Sequence, residues 1–446
     1  MPAAQTRTDA PSPFISVDAP RSLGVSGCSD AARRAGRRTA SVAKLRPVRS
    51  SLRVAGFSPL AASYTLNGLG DMLGVVALAV LVLQQTGSAL ATTALFLAAK
   101  SMPALLSPAL TAGLDQRAIG RVVPVVYFLE AGAFAGLAQL STAFWLPGVL
   151  ALAFADGVLA LTARGLTRGA VAGVLGPAGV LREGNALLNV AYAITSAAGP
   201  VLAGVVIHFG GVDAALWIDA GSFLCAGLLL AAARRSLPMA VVGDHQGWRA
   251  RVRDGLSHVR SHPTAGRLVA GEGVAIVFFT LVVPISVVFV RETLHSSSLG
   301  YGVMLGAWGV GVILGSVVFA RAGDMSLHVL VLASTLAVGV GYAGIAASPT
   351  LLLACLASVV GGVGNGIQWI SVMTALQDSV GDAYQARAAG LLESVGAVAP
   401  GIGFVVGGLL TAASSPRVAY AVAGVGAVVI AAVWARRPIV ADGAVA

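Results

Sequence analysis

The sequence contains few charged residues and few cysteines. Asp, Glu, Lys and Arg together make up 11% of its 446 residues, whereas soluble domains usually carry about a quarter. A soluble protein of this length needs more charge than that to cover its surface, so the composition argues against one. The three cysteines, Cys28, Cys225 and Cys355, are widely spaced, which argues against a disulfide framework or a cysteine metal site.

Several motifs that would indicate other functions are also missing. The sequence has no G-x-x-x-x-G-K-[ST] segment to power an ATP-driven pump. Its loops hold no His/Asp/Glu cluster at metal-ligand spacing and no nucleophile–base motif, so neither an enzyme nor a cofactor is predicted. No sizeable soluble domain is present to pass on a signal, which argues against a sensor. The net charge of +10 is spread between apolar runs, so nucleic acid is not an expected partner.

The sequence does have a series of long apolar runs. A membrane-spanning helix needs about 20 mostly apolar residues, and twelve segments meet that requirement. These spans are expected at residues 57–83, 89–112, 122–140, 146–168, 186–208, 214–233, 266–290, 299–320, 326–347, 351–376, 386–412 and 417–435. The prediction is an all-α membrane protein with twelve transmembrane helices.

Polar segments divide the chain into halves. A basic Pro/Ser/Ala-rich tail at 1–56, expected to be disordered, precedes the first half at 57–233. A cytoplasmic linker at 234–265 separates it from the second half at 266–435, and a short tail at 436–446 ends the chain.

The cations are distributed unevenly among the loops. If both termini are cytoplasmic, 26 of the 29 Lys and Arg residues lie in the tails, in the linker or around cytoplasmic loops, and the exceptions are Lys100, Arg291 and Arg417. Membrane proteins concentrate positive residues on the cytoplasmic side. We therefore expect a multi-pass protein of the plasma membrane with both termini in the cytoplasm.

The fifth and sixth spans, within residues 184–223, carry the most distinctive pattern. The fifth span carries the small residues Ala193, Ala197, Gly199 and Gly204, which allow close helix packing. Its Gly199-Pro200 pair loosens the helix. Asp219 then lies where hydrocarbon is expected, and an ionisable group there is by default a functional-site hypothesis. The N-A-L-L, G-P-x-x-x-G and D-A-x-S-F patterns resemble the major facilitator superfamily, most of all its macrolide-efflux type of drug:proton antiporter.

The loop after the second span resembles a second feature of that superfamily, the motif G-x-x-x-D-R-x-G-R-R. Asp115 and Arg121 fall on motif positions, and Arg117 is expected to substitute for a missing arginine. The loop after the eighth span keeps an acid, Asp324. The resemblance implies a gating role for these residues, through charge and helix-dipole contacts. The alternative is that they are ordinary cytoplasmic anchors.

Four ionisable residues interrupt the apolar runs of the first half, namely Asp71, Lys100, Glu130 and Asp156. The Gly-Asp pair that contains Asp71 matches the first helix of the superfamily. One lysine cannot balance three acids, and burial and like charge both favour the neutral form of a carboxyl group. At least one of these acids is therefore expected to bind a proton reversibly in a central cavity.

Structural roles compete with each of these assignments. Lys100 is interpreted as a counter-ion, and Glu130 has an alternative pairing with Arg121 or Arg164. Asp219 is expected to make a structural contact near the outer surface. Two further acids, Glu272 and Glu393, are expected to extend toward the cytoplasm. Four aromatic residues either line an apolar drug cavity or pack against lipid and other helices, namely Trp308, Trp369, Phe278 and Phe279.

The resemblance implies the major facilitator fold, with two six-helix bundles around a central cavity, and secondary transport by alternating access. The expected activity is efflux of a hydrophobic or amphiphilic small molecule, such as a drug or secondary metabolite. A proton gradient would supply the energy, with no cofactor, and the expected partners are the substrate, protons and the lipid bilayer, with the protein acting as a monomer. The alternatives are a dedicated siderophore or metabolite exporter, a nutrient importer of the same fold and, from another class, a transport-dead membrane sensor.

Overall fold

The computed structural model describes residues 51–114, 119–237, 263–323, 325–379 and 385–436. All regular structure within these ranges is helical, with no strand. Most of the predicted N-terminal tail, linker and C-terminal tail lies outside the described residues.

Twelve segments, α1 to α12, follow one another along the chain. The bounds in the first half are α1 Phe57–Thr86, α2 Ala89–Phe96 continued by a π-helical turn Leu97–Ser101 and by Met102–Leu114, α3 Ile119–Thr142, α4 Leu146–Leu175, and the segment Leu181–Ala232, in which α5 precedes Gly211 and α6 follows it. The bounds in the second half are α7 Pro263–Thr280 with a continuation from Ser286 to Thr293, α8 Ser298–Arg321, α9 Leu327–Ala347, α10 Leu351–Asp378, α11 Gln385–Ala413 and α12 Pro416–Arg436.

These helices form a multi-pass membrane protein. Ten of the described helices are long and apolar enough to cross a bilayer. One of the ten, Leu181–Ala232, is 52 residues long and holds two spans, and the interrupted α7 supplies another. The twelve predicted transmembrane helices are therefore confirmed, with ends that differ by a few residues.

The bend between α5 and α6 lies at the double glycine Gly210-Gly211. Gly211 has φ 84° and ψ 174°, a conformation that only glycine adopts readily. The chain therefore changes direction at this glycine, and α6 packs against α1 and α3.

The predicted span at 266–290 is present but is interrupted, which was not predicted. The structure ends a helix at Thr280, forms a non-helical turn over 281–285 and resumes a helix at Ser286. Pro284 lies in this turn. Proline cannot donate the helical hydrogen bond and its ring clashes with the preceding turn, which accounts for the interruption.

The two halves pack closely near the end of α1. Phe96 of α2 meets Phe404 of α11 edge-on, with ring centroids 5.8 Å apart, and Gly302 of α8 faces the Pro200 carbonyl of α5. Every residue of α1 from Val76 to Leu83 is at most 5% exposed, whereas the first half of α1 is buried only in part. The interior is therefore closed at the end where α1 finishes and less tightly packed where α1 begins.

Candidate functional site

An ion pair connects α1 to α4 halfway along α1. Nη2 of Arg164 lies 2.9 Å from Oδ2 of Asp71. The side chain of Asp71 is 6% exposed, whereas that of Arg164 is 35% exposed. Arg164 lies inside α4, which runs from Leu146 to Leu175, and its side chain reaches across to α1.

A small cavity beside this pair brings together three of the predicted residues. Asp71, Lys100 and Asp156 line it, with Phe96 and Phe134 among its apolar neighbours. We call it the acid-lined cavity. Lys100 lies in the π-helical turn of α2, a distortion that often occurs at functional sites. Oδ1 of Asp156 is buried without a hydrogen-bond partner among the described residues, so the three groups form an incompletely paired polar cluster.

A second cavity lies on the other side of Asp71. Its polar lining includes Asp71, Arg164, Tyr64, Asn67 and Tyr192, and we call it the arginine cavity. Because Asp71 lines both cavities, its carboxylate forms part of the wall between them.

Asp219 is enclosed between α6 and α1. Its side chain is fully buried and accepts a 3.2 Å hydrogen bond from Oγ of Ser222. A Cβ atom added to Gly70 or Gly74 of α1 would collide with the Asp219 carboxylate. The two glycines therefore make room for the acid, which fixes the packing of α6 on α1.

Glu130 of α3 is also fully buried. Neither of its carboxylate oxygens has a hydrogen-bond partner in the described part of the chain. The charged groups whose electrostatic influence reaches it include Asp156, Asp71, Asp219 and Arg164. Arg164 itself is paired with Asp71, so the predicted alternative of a Glu130–Arg164 pair is not formed in this conformation.

A larger cavity lies between the halves. It has a volume of about 290 Å³, close to the lower end of the range of about 300–1,000 Å³ for ligand pockets. Among the described residues, those that line it are all uncharged, and the polar ones include Ser286, Ser358 and Asn365. The rings of Trp308 and Tyr342 stack in its wall with centroids 5.2 Å apart and 11° between planes. We call it the aromatic cavity.

The aromatic cavity adjoins the acid-lined cavity. Val75 of α1 and Phe96 of α2 line both. A group bound against the aromatic rings would therefore be separated from the ionisable cluster by two apolar side chains.

The interruption of α7 contributes to the same wall. Thr280, Val282 and Ser286 line the aromatic cavity, and the Tyr342 hydroxyl donates a 2.8 Å hydrogen bond to the carbonyl of Phe279. That carbonyl loses its helical partner at the break, so the tyrosine satisfies a backbone acceptor that would otherwise be unpaired.

The remaining predicted residues lie elsewhere. Asp115, Arg117 and Asp324 lie outside the described residues, and Arg121 is exposed at the start of α3. The three residues on α5 face other helices closely: Gly199 meets Met72 of α1, Gly204 meets Leu299 of α8, and the carbonyl of Pro200 meets Gly302 of α8.

Some sequence-based assignments need correction. Glu272 does not extend toward solvent but is 1% exposed and accepts a hydrogen bond of 2.5 Å from Nε2 of Gln368 on α10. The side chain of Glu393 lies outside the described residues. Trp308 lines the aromatic cavity, as the first of its two predicted alternatives requires. Trp369 is 41% exposed, which agrees with the other alternative, packing against lipid.

The sequence analysis named Arg164 only as an alternative partner of Glu130 and did not predict its pair with Asp71. The signal that places it inside a helix is the apolar pattern that continues beyond it through Leu166, Ala170, Val171 and Leu175, all buried. Tyr342 and Asn365 carried no comparable signal, because an isolated polar residue in an apolar run does not indicate which helix it faces.

Comparisons with known proteins agree with this architecture. Residues 268–444 match the family described as Major Facilitator Superfamily. No curated protein matches the chain.

Several solved structures have a similar fold. A mutant of the nucleoside transporter NupG superposes with a TM-score of 0.68 at 16% identity, covering 85% of this chain and 99% of that chain. A bacterial homologue of the iron transporter ferroportin in an inward-facing state gives 0.66 at 17% identity, covering 86% and 98%. A D-xylose-proton symporter gives 0.61 at 16% identity, covering 86% and 97%.

These similarities, together with the twelve spans, show that the chain has the major facilitator fold. The family match and the fold indicate a transporter and not an enzyme.

Proposed function

We propose that this chain is a secondary active transporter that exports hydrophobic or amphiphilic small molecules, such as drugs or secondary metabolites. It works by alternating access and uses the inward flow of protons as its energy source. The observation that carries the proposal is the position of the aromatic cavity, which adjoins the acid-lined cavity through Val75 and Phe96.

The substrate class follows from the lining of the aromatic cavity. Its residues include the stacked Trp308 and Tyr342 and no charged side chain. Aromatic walls with a few hydroxyl and amide groups bind apolar, ring-containing compounds and orient them by single hydrogen bonds. A strongly charged nutrient would find no counter-charge there.

The coupling proposal follows from the acids next to that cavity. Asp71, Glu130 and Asp156 lie in a region that supplies two cations, Arg164 and Lys100. Ionisable groups at membrane depth are costly and are found where ions or protons are moved. Movement of the two halves about this region would expose the cavities to each side of the membrane in turn.

The test uses inside-out membrane vesicles that contain the protein. We expect a hydrophobic fluorescent dye to accumulate when the lumen is more acidic than the outside, and to leave again when a protonophore collapses the gradient. Vesicles without the protein, under the same gradient, are the control. Accumulation that is unaffected by the pH gradient contradicts proton coupling, and accumulation only under the opposite gradient favours a proton-driven importer instead.

A further inference from the structure

Glu130 differs from Asp71, Asp156 and Asp219 because both of its carboxylate oxygens, not one at most, are buried without a hydrogen bond among the described residues. Asp71 pairs with Arg164 at 2.9 Å, Asp156 shares a cavity with Lys100, and Asp219 accepts a hydrogen bond from Ser222. Both oxygens of Glu130 are buried without a hydrogen bond in the described part of the chain. The ionised form would therefore be uncompensated here, and the neutral form is the one that this conformation accommodates.

We propose that Glu130 is the residue that holds the transported proton, and that Arg164 alternates between Asp71 and Glu130 as the proton leaves and returns. This proposal rests on the proposed proton-coupled transport and assigns its proton site.

The charges around Glu130 make Arg164 the cation available to it. Charges on three helices act on Glu130, namely Asp71 on α1, Asp156 and Arg164 on α4, and Asp219 on α6. Arg164 is the one cation in this set. A carboxylate formed at Glu130 can be stabilised if the long, partly exposed side chain of Arg164 turns toward it.

Asp219 does not meet the same requirements. Asp219 accepts a hydrogen bond from Ser222 on its own helix, and the charged groups near it include Asp71, Asp156 and Lys100. Its carboxylate is enclosed by Gly70 and Gly74, so it has no space to change partners. Its position fits a packing role better than a proton-carrying one.

The proton exchange conserves atoms and charge. In the conformation described here, Glu130 is a neutral acid and Asp71 is a carboxylate paired with Arg164. The O–H bond of Glu130 breaks, the proton passes to Asp71 through water, and Arg164 moves from Asp71 to the new carboxylate. Asp71 lines both the acid-lined and the arginine cavity, so it can release the proton to water in either one.

The test compares two modes of transport in proteoliposomes made with the purified full-length protein. Uphill transport of dye driven by a pH gradient requires proton release and rebinding, whereas exchange of labelled for unlabelled dye at equal pH does not. For Glu130→Gln, which keeps the carboxyl group neutral, we expect at least a tenfold loss of uphill transport and exchange within twofold of wild type.

Other variants separate proton binding from structure. Asp213→Asn changes an exposed acid at the start of α6 and should leave both modes unchanged. Asp71→Asn removes the partner of Arg164 and should reduce both. Glu130→Asp retains an ionisable group and should recover part of the uphill transport.

A spectroscopic measurement tests the protonation of Glu130 without relying on transport activity. Infrared spectra of the wild-type protein should contain a protonated carboxyl band that is absent from Glu130→Gln. If the wild type responds to the pH gradient and Glu130→Gln still transports uphill normally, or if the band persists, the assignment to Glu130 is wrong while the proposed function stands. If the wild type shows no response to the gradient, both are wrong.

Discussion

Arg164 and Asp71 hold α4 and α1 together through a contact of 2.9 Å between a partly exposed guanidinium and a buried carboxylate. The pair lies where the arginine cavity meets the acid-lined cavity. A charge pair in this position contributes both to the packing of the first half and to the electrostatics of any proton movement through it. Because the arginine is partly exposed, it can leave the pair without crossing a fully dry interior.

The first prediction concerns the strength of that pair. Arg164→Met leaves the Asp71 carboxylate without its cation, and removing one partner of a hydrogen-bonded charge pair of this kind costs about 2–4 kcal/mol. We expect a lower unfolding temperature in detergent for Arg164→Met and for Asp71→Asn. The double variant should lose less free energy of unfolding than the two single variants lose together, by about 1–3 kcal/mol. Fully additive losses would mean that the two side chains are not coupled.

The second prediction concerns the glycines that enclose Asp219. Replacing glycine by alanine inside a helix usually stabilises it by up to about 1 kcal/mol, but at Gly74 the new methyl group would meet both the Asp219 carboxylate and the Phe134 ring. Overpacking of this kind costs about 1–3 kcal/mol. We expect Gly74→Ala to lower the unfolding temperature.

Gly132 supplies the matched control for this prediction. It lies on α3 with no atom within 4 Å of an added Cβ, so Gly132→Ala should be neutral or stabilising. At Gly70 the colliding atoms belong to Asp219 and Ser222, and Gly70→Ala should be partly rescued by Asp219→Ala. Equal behaviour of Gly74→Ala and Gly132→Ala would contradict the close packing of α6 on α1.

The fold was largely predictable from sequence because long apolar runs have few alternatives to spanning a bilayer. All twelve spans were located to within several residues, with the fifth and sixth predicted on either side of the bend at Gly211. The interruption of α7 was not predicted, although Pro284 was visible in the run. Proline inside a membrane helix produces a kink or a break, depending on what satisfies the freed backbone groups. Here the Tyr342 hydroxyl satisfies the Phe279 carbonyl, and these two residues are 63 positions apart in the chain.

The candidate site was predictable as a set of residue types but not as a set of contacts. The depth of Asp71, Lys100 and Asp156 in their helices could be counted from the sequence, and the structure places all three around one cavity. Their partners could not be derived in the same way. The rotation of each helix decides which neighbour a side chain faces, and helices that are apolar on all sides carry little periodic signal to indicate it.

The third prediction compares two tryptophans of the second half. Trp308 lines the aromatic cavity and stacks on Tyr342, whereas Trp369 is 41% exposed on α10. An aromatic pair contributes about 0.5–1.5 kcal/mol beyond its burial, and a bound ring loses that contact when Trp308 becomes alanine. We expect Trp308→Ala to raise the KM for dye transport about tenfold, with Trp369→Ala close to wild type. Dye-transport rates at varied dye concentration measure this, and similar KM values for both variants would place the substrate elsewhere.

The last prediction concerns the buried pair of Glu272 and Gln368, which joins α7 to α10 by a hydrogen bond of 2.5 Å. Gln368→Leu leaves the Glu272 carboxyl group buried without its donor, and an unsatisfied buried polar group costs about 1–3 kcal/mol. Glu272→Gln retains an acceptor oxygen and should change stability by less than about 1 kcal/mol, since an amide can accept the same bond. Thermal unfolding of the purified variants in detergent measures the difference. Since Glu272 is 1% exposed, a Gln368→Leu variant as stable as wild type would mean that the carboxyl group finds another donor, and the link between α7 and α10 would then lie outside this pair.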